Sequence, residues 1–187
     1  VGYDFSFGKG RKGNPELLKE LGAKFGFAVR VVGPITFMGS IVSSTRIREL
    51  VLSGRVREAA HFLGREFFVS GKIVAGAGRG KSLGFPTANV DVREELIPLP
   101  GVYAVRARVR GETRPGVANV GFNPTFGEKS LRVEVHLFGV DEDLYGEDVR
   151  VYFVDRIRDE RKFPGPEELA AQIRNDVLMA KKILESS

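Results

Sequence analysis

The sequence has no cysteine and only two histidines, His61 and His136. Without cysteine, a disulfide framework and thiolate catalysis are excluded, and a reducing cytoplasm fits the composition. With no histidine cluster and no CxxC pair, a zinc-type centre lacks its ligands. No apolar run approaches the roughly 20 residues of a membrane-spanning helix. Internal repeats and low-complexity tracts are absent. No metal-hydrolase or serine-hydrolase constellation is read.

What is present is the composition of an ordinary globular protein: 42% hydrophobic and 28% charged residues in a chain of 187. That length suffices for one sizeable domain or two small ones, and needs no covalent staple. The chain begins Val-Gly-Tyr-Asp-Phe, without an initiator methionine, and is read as a piece of a longer protein. The net charge of +5 is unevenly placed, with +6 in residues 1–65 and −1 in the remainder. A basic first third can attract nucleic acid or smaller phosphorylated ligands, or be simply a solvated face.

Helical periodicity dominates as far as residue 64. Pro15–Phe25 carries Leu17, Leu18, Leu21 and Phe25 at helical spacing. Phe27–Val32 is a short strand candidate. In "IVSSTRIRELVLSG", Ser43 or Ser44 caps a helix whose stripe is Ile47, Leu50 and Val51, ended by Gly54. A second helix, Val56–Leu63, closes at Gly64. The period then changes to two. "REFFVSGKIVA", "VYAVRARVR", "GVANVG", "LRVEVHLF" and "DVRVYFV" read as strands, with a turn at Gly111 and Glu112, so an antiparallel barrel or sandwich is expected. A final helix opens at Gly165-Pro166, with the stripe Leu169, Ile173, Val177, Ala180 and Leu184. The chain is thus α+β, with two domains, 1–64 and 65–187.

Between the first two of these strands lies "GAGRGKSLGFPTAN", residues 76–89. Its Gly-Lys-Ser suggests a P-loop, but Ala75 stands where the first glycine belongs, and Gly84 and Pro86 oppose the helix that must follow. The dinucleotide fingerprint fails too, because Lys81 occupies its last glycine position. A mobile hairpin tip is one reading. The other is phosphate binding, with Arg79 and Lys81 adding charge to glycine backbone donors. Thr87 and Asn89, at i and i+2, point the same way from an extended segment. They form a turn or supply oxygens to Mg²⁺.

In "LRVEVHLF", Arg132, Glu134 and His136 share a face opposite Val133, Val135 and Leu137. Glu134 is a candidate general base on a rigid strand, or part of a solvated face. His136 is given at most a support role, and His61 a structural one. Ser43, Ser44 and Thr45 with Arg46 and Arg48 place hydroxyls and guanidiniums at a helix N-terminus, an arrangement suited to an anion.

Taken together, the segments "GYDFSFGKGRKGN", "SSTRIRELVLSGRVREAAHFLGR", "GRGKSLGFPTAN", "PGVYAV", "GVANVGFNPTF", "VEVHLF", "DLYG" and "IRDERKF" resemble, in order, the C-terminal part of the prokaryotic bifunctional riboflavin kinase/FMN adenylyltransferases, the FAD synthetases. The resemblance implies a partial α/β nucleotidyltransferase-like segment followed by an antiparallel β-barrel riboflavin kinase domain with a C-terminal helix. It implies transfer of the ATP γ-phosphate to the 5′-hydroxyl of riboflavin, giving FMN and ADP, in the cytoplasm and without nucleic acid or membrane as partner. In that family the glycine-rich loop cradles the nucleotide, which corresponds here to Gly76, Gly78, Gly80, Lys81 and Gly84. Thr87 and Asn89 match the residues that bind Mg²⁺ and phosphate, and Glu134 matches the base. One departure is Ser82, where the family often has arginine; the charge then falls to Arg79 or Lys81. Ser44, Thr45 and Arg48 match the adenylyltransferase's ATP-phosphate motif. Its His-x-Gly-His signature is not in this sequence, so FAD formation is expected only of the intact protein.

Two other functions compete with the kinase on the residues alone. A nucleic-acid binder would show salt-sensitive binding, but no interleaved aromatic and basic platform is evident. A flavin-binding module would bind FMN without releasing ADP.

Overall fold

The computed structural model describes residues 1–76, 80, 83–93, 96–122, 131–140 and 142–187. The chain forms two compact units, Val1–Ser43 and Ser44–Ser187.

In the first unit a short 3-10 turn, Lys9–Arg11, precedes helix α1, Pro15–Phe25. The side chain of Asn14 caps α1 by accepting from the Leu17 N–H at 2.9 Å, and Gly26 ends it in the left-handed region, φ 77°. A hairpin of β1, Thr36–Phe37, and β2, Ser40–Ile41, follows. The expected strand at Phe27–Val32 does not form. A strand needs a partner for its backbone groups, and here the ladder is reduced to one parallel bridge, Gly2 to Val32.

The second unit starts with α2, Ser44–Leu52, and α3, Val56–Leu63. Leu50, Val51 and Ala59 are buried against Phe62, Phe67 and Leu96, which fixes this helical pair to the first barrel strand. The Arg57 guanidinium meets Asp155 at 3.1 Å.

Six strands close the barrel: β3, Phe67–Val74; β4, Ala88–Val92; β5, Gly101–Val109; β6, Glu112–Phe122; β7, Leu131–Leu137; and β8, Asp148–Arg158. Their order around the barrel is β3-β4-β7-β6-β5-β8, and every pairing is antiparallel. Closure leaves no sheet edge. Alternation in β5 follows the sequence reading: Val105, Ala107 and Val109 are buried, while Arg106 and Arg108 turn outward. The β5–β6 turn sits one residue earlier than expected, on Arg110 and Gly111, with φ 50° and 84°. Two consecutive positive φ values make the tight hairpin turn whose twist matches its strands.

The strand missed in the sequence is β4. It is short and carries Asn89 and Asp91, which lower its apolar alternation. It completes the barrel by joining β3 to β7. Inside, Val69, Val105, Val120, Val133, Val151 and Phe153 are fully buried, each such side chain contributing roughly 1.5–3 kcal/mol. Tyr103 is buried with them. Its phenol donates to the Leu99 carbonyl and accepts from Arg156 Nε at 3.2 Å, and burial pushes its pKa upward.

The last helix, α4, Pro166–Glu185, has proline in its first turn and lies across the outer face of β5, β6 and β8. Ala180, with Val177, Ile183 and Leu184 around it, packs on Val102, Ala104 and Val117.

Candidate active site

Strand β7 separates two environments. Val133, Val135 and Leu137 point into the barrel core, while Arg132, Glu134 and His136 point outward and are half-buried. The outer residues do not face open water. They line a cavity of about 450 Å³ between the barrel wall and α4, which contributes Leu169, Ile173 and Asp176.

The barrel register sets the floor of this cavity. Glu134 lies opposite Asn89 on β4 and opposite Asn119 on β6. Directly paired residues hold their Cβ atoms about 4.5–5.5 Å apart on one face. A carboxylate is thus flanked by two carboxamides, all three lining the cavity. Asn89 is 7% exposed. No lysine or arginine among the described residues makes an ion pair with Glu134.

The loop before β4 reaches the same place. Gly80 and Thr87 line the cavity with Asn89 and Glu134. A Cβ on Gly76 would collide with the Asn89 amide nitrogen, and one on Gly80 would strike the Phe85 carbonyl and come within 3.1 Å of Thr87 Oγ1. Glycine is required at both positions by close approach. Gly84 adopts φ 83° in the turn with Leu83. The Phe85 N–H donates to the Gly80 carbonyl at 2.8 Å, and residues 83–87 carry no helix before the chain enters β4 at Ala88. This is not a P-loop. The letters Gly80-Lys81-Ser82-Leu83-Gly84 also fit Gly-x-Ser-x-Gly, but a nucleophile elbow must turn into a helix and this segment runs on to a strand. Gly78 and Lys81, with Arg79 and Ser82, lie outside the described residues.

A smaller cavity of about 240 Å³ lies at the barrel end, lined by Ile73, Pro86, Val135, Leu137 and Leu144 among others. Thr87 lines both cavities. Its hydroxyl and the Asn89 amide oxygen are hard donors beside the Glu134 carboxylate. Such a set suits a divalent cation that takes few protein oxygens and completes its shell with phosphate and water. Among the described residues no group of three or more His, Asp or Glu could hold a metal by itself.

Ser44, Thr45 and Arg48 are on the first turns of α2, exposed, and do not line either cavity.

Several residues of the site were not singled out in the sequence. Asn119 holds an outward position of β6, and its signal was a lone carboxamide among small residues in "GVANVG". Asp176 is 3% exposed and forms a forked pair with Arg158: Nε to Oδ1 at 2.9 Å and Nη2 to Oδ2 at 2.7 Å. Gln172 Nε2 donates to the same Oδ1 at 2.7 Å. The signal was a carboxylate interrupting the apolar stripe of α4. Arg158 and Arg161 stand over the ring of Phe163, at 5.7 and 4.7 Å from its centroid. Phe163, both arginines and Glu160 line the larger cavity.

The riboflavin kinase family model matches residues 63–184, the whole of the barrel and nearly all of α4. The chain belongs to the riboflavin kinase family. A second model, FAD synthetase, matches residues 1–46. Among similar riboflavin kinases, the bifunctional riboflavin kinase/FMN adenylyltransferase of Escherichia coli is 40% identical over 97% of this chain and 58% of its own length. The Bacillus subtilis protein of the same name is 39% identical over 94% of this chain and 57% of its own. The chain therefore spans less than two thirds of these relatives. A crystal structure described as a macrolide-efflux protein from Streptococcus pneumoniae superposes with a TM-score of 0.82 and 38% identity, covering 94% of this chain and 57% of that one. What this riboflavin kinase family member shares with that protein is the fold; the description belongs to the neighbour. No helix among the described residues is long and apolar enough to cross a membrane.

Proposed function

We propose that this chain is a riboflavin kinase that transfers the γ-phosphate of ATP to the 5′-hydroxyl of riboflavin, giving FMN and ADP. The observation that carries this reading is Glu134, held in register between Asn89 and Asn119 on the floor of a cavity of about 450 Å³. That volume falls within the range of small-molecule sites. The flat, largely apolar flavin occupies the larger cavity beside α4, and the nucleotide base takes the smaller one. The phosphates then cross near Thr87, which lines both.

Phosphoryl transfer asks for positioning and charge neutralisation more than covalent chemistry. The ribityl oxygen forms a bond to the γ-phosphorus as the bond to the β,γ-bridging oxygen breaks. Glu134 accepts the hydroxyl proton, and ADP leaves. Thr87 and Asn89 hold Mg²⁺, which when bound neutralises phosphate charge. The glycine-rich loop that carries Gly76, Gly80 and Gly84 lies against the phosphates, with Gly78 and Lys81 assigned to the same loop on the family resemblance. We place the activity in the cytoplasm, where ATP is available.

By domain, we assign residues 65–187 to the kinase and residues 1–64 to the end of an FMN adenylyltransferase domain. Ser44, Thr45 and Arg48 are its ATP-phosphate contacts, and the longer protein adenylylates FMN to FAD.

A coupled assay of ADP release with riboflavin, ATP and Mg²⁺ tests the reading, with FMN identified chromatographically. Equal yields of ADP and FMN are expected. Flavin binding without ADP release would make the chain a binding module, and salt-sensitive nucleic-acid binding without turnover would favour the alternative drawn from its basic first third.

A further inference from the structure

Strand pairing between β4 and β7 stops at Ala88 opposite Val135. The next residue back is Thr87, and before it comes Pro86, which has no N–H to continue a ladder. Thr87, which stands at the junction of the two cavities, is therefore left at the unpaired end of β4. A side chain takes over where the backbone cannot. His136 Nδ1 lies 2.8 Å from the Pro86 carbonyl oxygen. A carbonyl only accepts, so Nδ1 is the donor of this bond.

Two phenylalanine rings contact the imidazole. Phe85 meets it edge-on at 5.6 Å and 84°, and Phe138 at 5.8 Å and 60°. Phe85 is in turn tied to the Gly80 carbonyl through its backbone N–H. The imidazole thus joins the strand that carries Glu134, two residues away, to the loop that carries Gly80 and Thr87.

We propose that His136 is a positioning residue for phosphoryl transfer. By holding the Pro86 carbonyl it fixes the backbone of Thr87 from the side that the β4–β7 ladder does not reach, and so sets the distance between the phosphate-binding loop and the base. The proposal rests on the kinase reading for its consequence in turnover, but its structural half stands without that reading.

The test compares the full chain with His136→Phe, which keeps an aromatic ring and removes the donor, and His136→Asn, which places an amide N–H close to the position of Nδ1. Backbone hydrogen exchange of residues 83–88 reads the anchor directly. Steady-state kinetics with MgATP and riboflavin varied separately read its consequence. Loss of one such hydrogen bond is worth about a three- to tenfold effect. The expected result is exchange faster by about that factor in His136→Phe and a matching rise in the KM for MgATP that exceeds the change in the KM for riboflavin, whose cavity His136 also lines. His136→Asn restores both readouts most of the way. Unchanged exchange of 83–88 in His136→Phe overturns the proposal. Equal losses in both variants, or equal rises in both KM values, also overturn it, because they point to general packing instead of the Nδ1 bond. If no variant and no wild-type chain makes FMN, the kinase reading fails, while the exchange comparison still decides the anchor.

Discussion

Replacing Asp176 with alanine removes one carboxylate and leaves an arginine behind. Asp176 is 3% exposed and accepts from both Arg158 and Gln172, while the Arg158 side chain keeps 20% of its surface in solvent. Breaking a buried pair by deleting one partner costs about 3–5 kcal/mol, because the other charge stays desolvated. Partial exposure of Arg158 places this case at the lower end, about 3 kcal/mol. For a protein of this size each kcal/mol moves the melting temperature by roughly 2–4 °C, so a drop of about 6–12 °C is expected by scanning calorimetry. The double variant Arg158→Met, Asp176→Leu leaves no stranded charge and recovers most of that loss. A drop under about 2 °C in Asp176→Ala, or a double variant no more stable than the single, would refute this reasoning.

Two further outcomes follow from the geometry. Gly76→Ala places a methyl group where the Asn89 amide lies, so it weakens MgADP binding measured by calorimetry while riboflavin binding persists; unchanged MgADP affinity would remove Asn89 from the metal site. Burial raises the Tyr103 phenol above its ordinary value of 10.0, so stability is intact below that pH and lost as pH rises through the higher folded value. Denaturant titrations at pH 9 and pH 11 should therefore differ more for the wild type than for Tyr103→Phe, and equal differences would contradict the assignment.

Much of the architecture was legible because local patterns agreed with the final packing. The outward arginines of β5 and the inward valines of β7 follow from alternation alone. So does α1, whose proline, cap and C-terminal glycine are all encoded locally. β4 was not legible as a strand, because Asn89 lines the cavity and Asp91 is exposed, which leaves its apolar alternation weak. The segment Phe27–Val32 shows the reverse: an apolar run reads as a strand even where its neighbours do not build a ladder. Within the site, Thr87, Asn89 and Glu134 could be named from motif and parity. That Asn89 and Asn119 flank Glu134 could not, since register between distant strands is set by barrel closure. The Arg158–Asp176 pair joins a strand end to a helix 18 residues on, and only the docked helix brings the two charges together.

The central claim is that Glu134 accepts the riboflavin hydroxyl proton. Single-turnover FMN formation by Glu134→Gln, measured beside MgADP binding to the same variant, tests it most directly. The amide keeps the shape and removes the base, so the rate should fall by about 10²–10⁴-fold while MgADP affinity stays within about threefold of wild type. Wild-type turnover in that variant would contradict the claim.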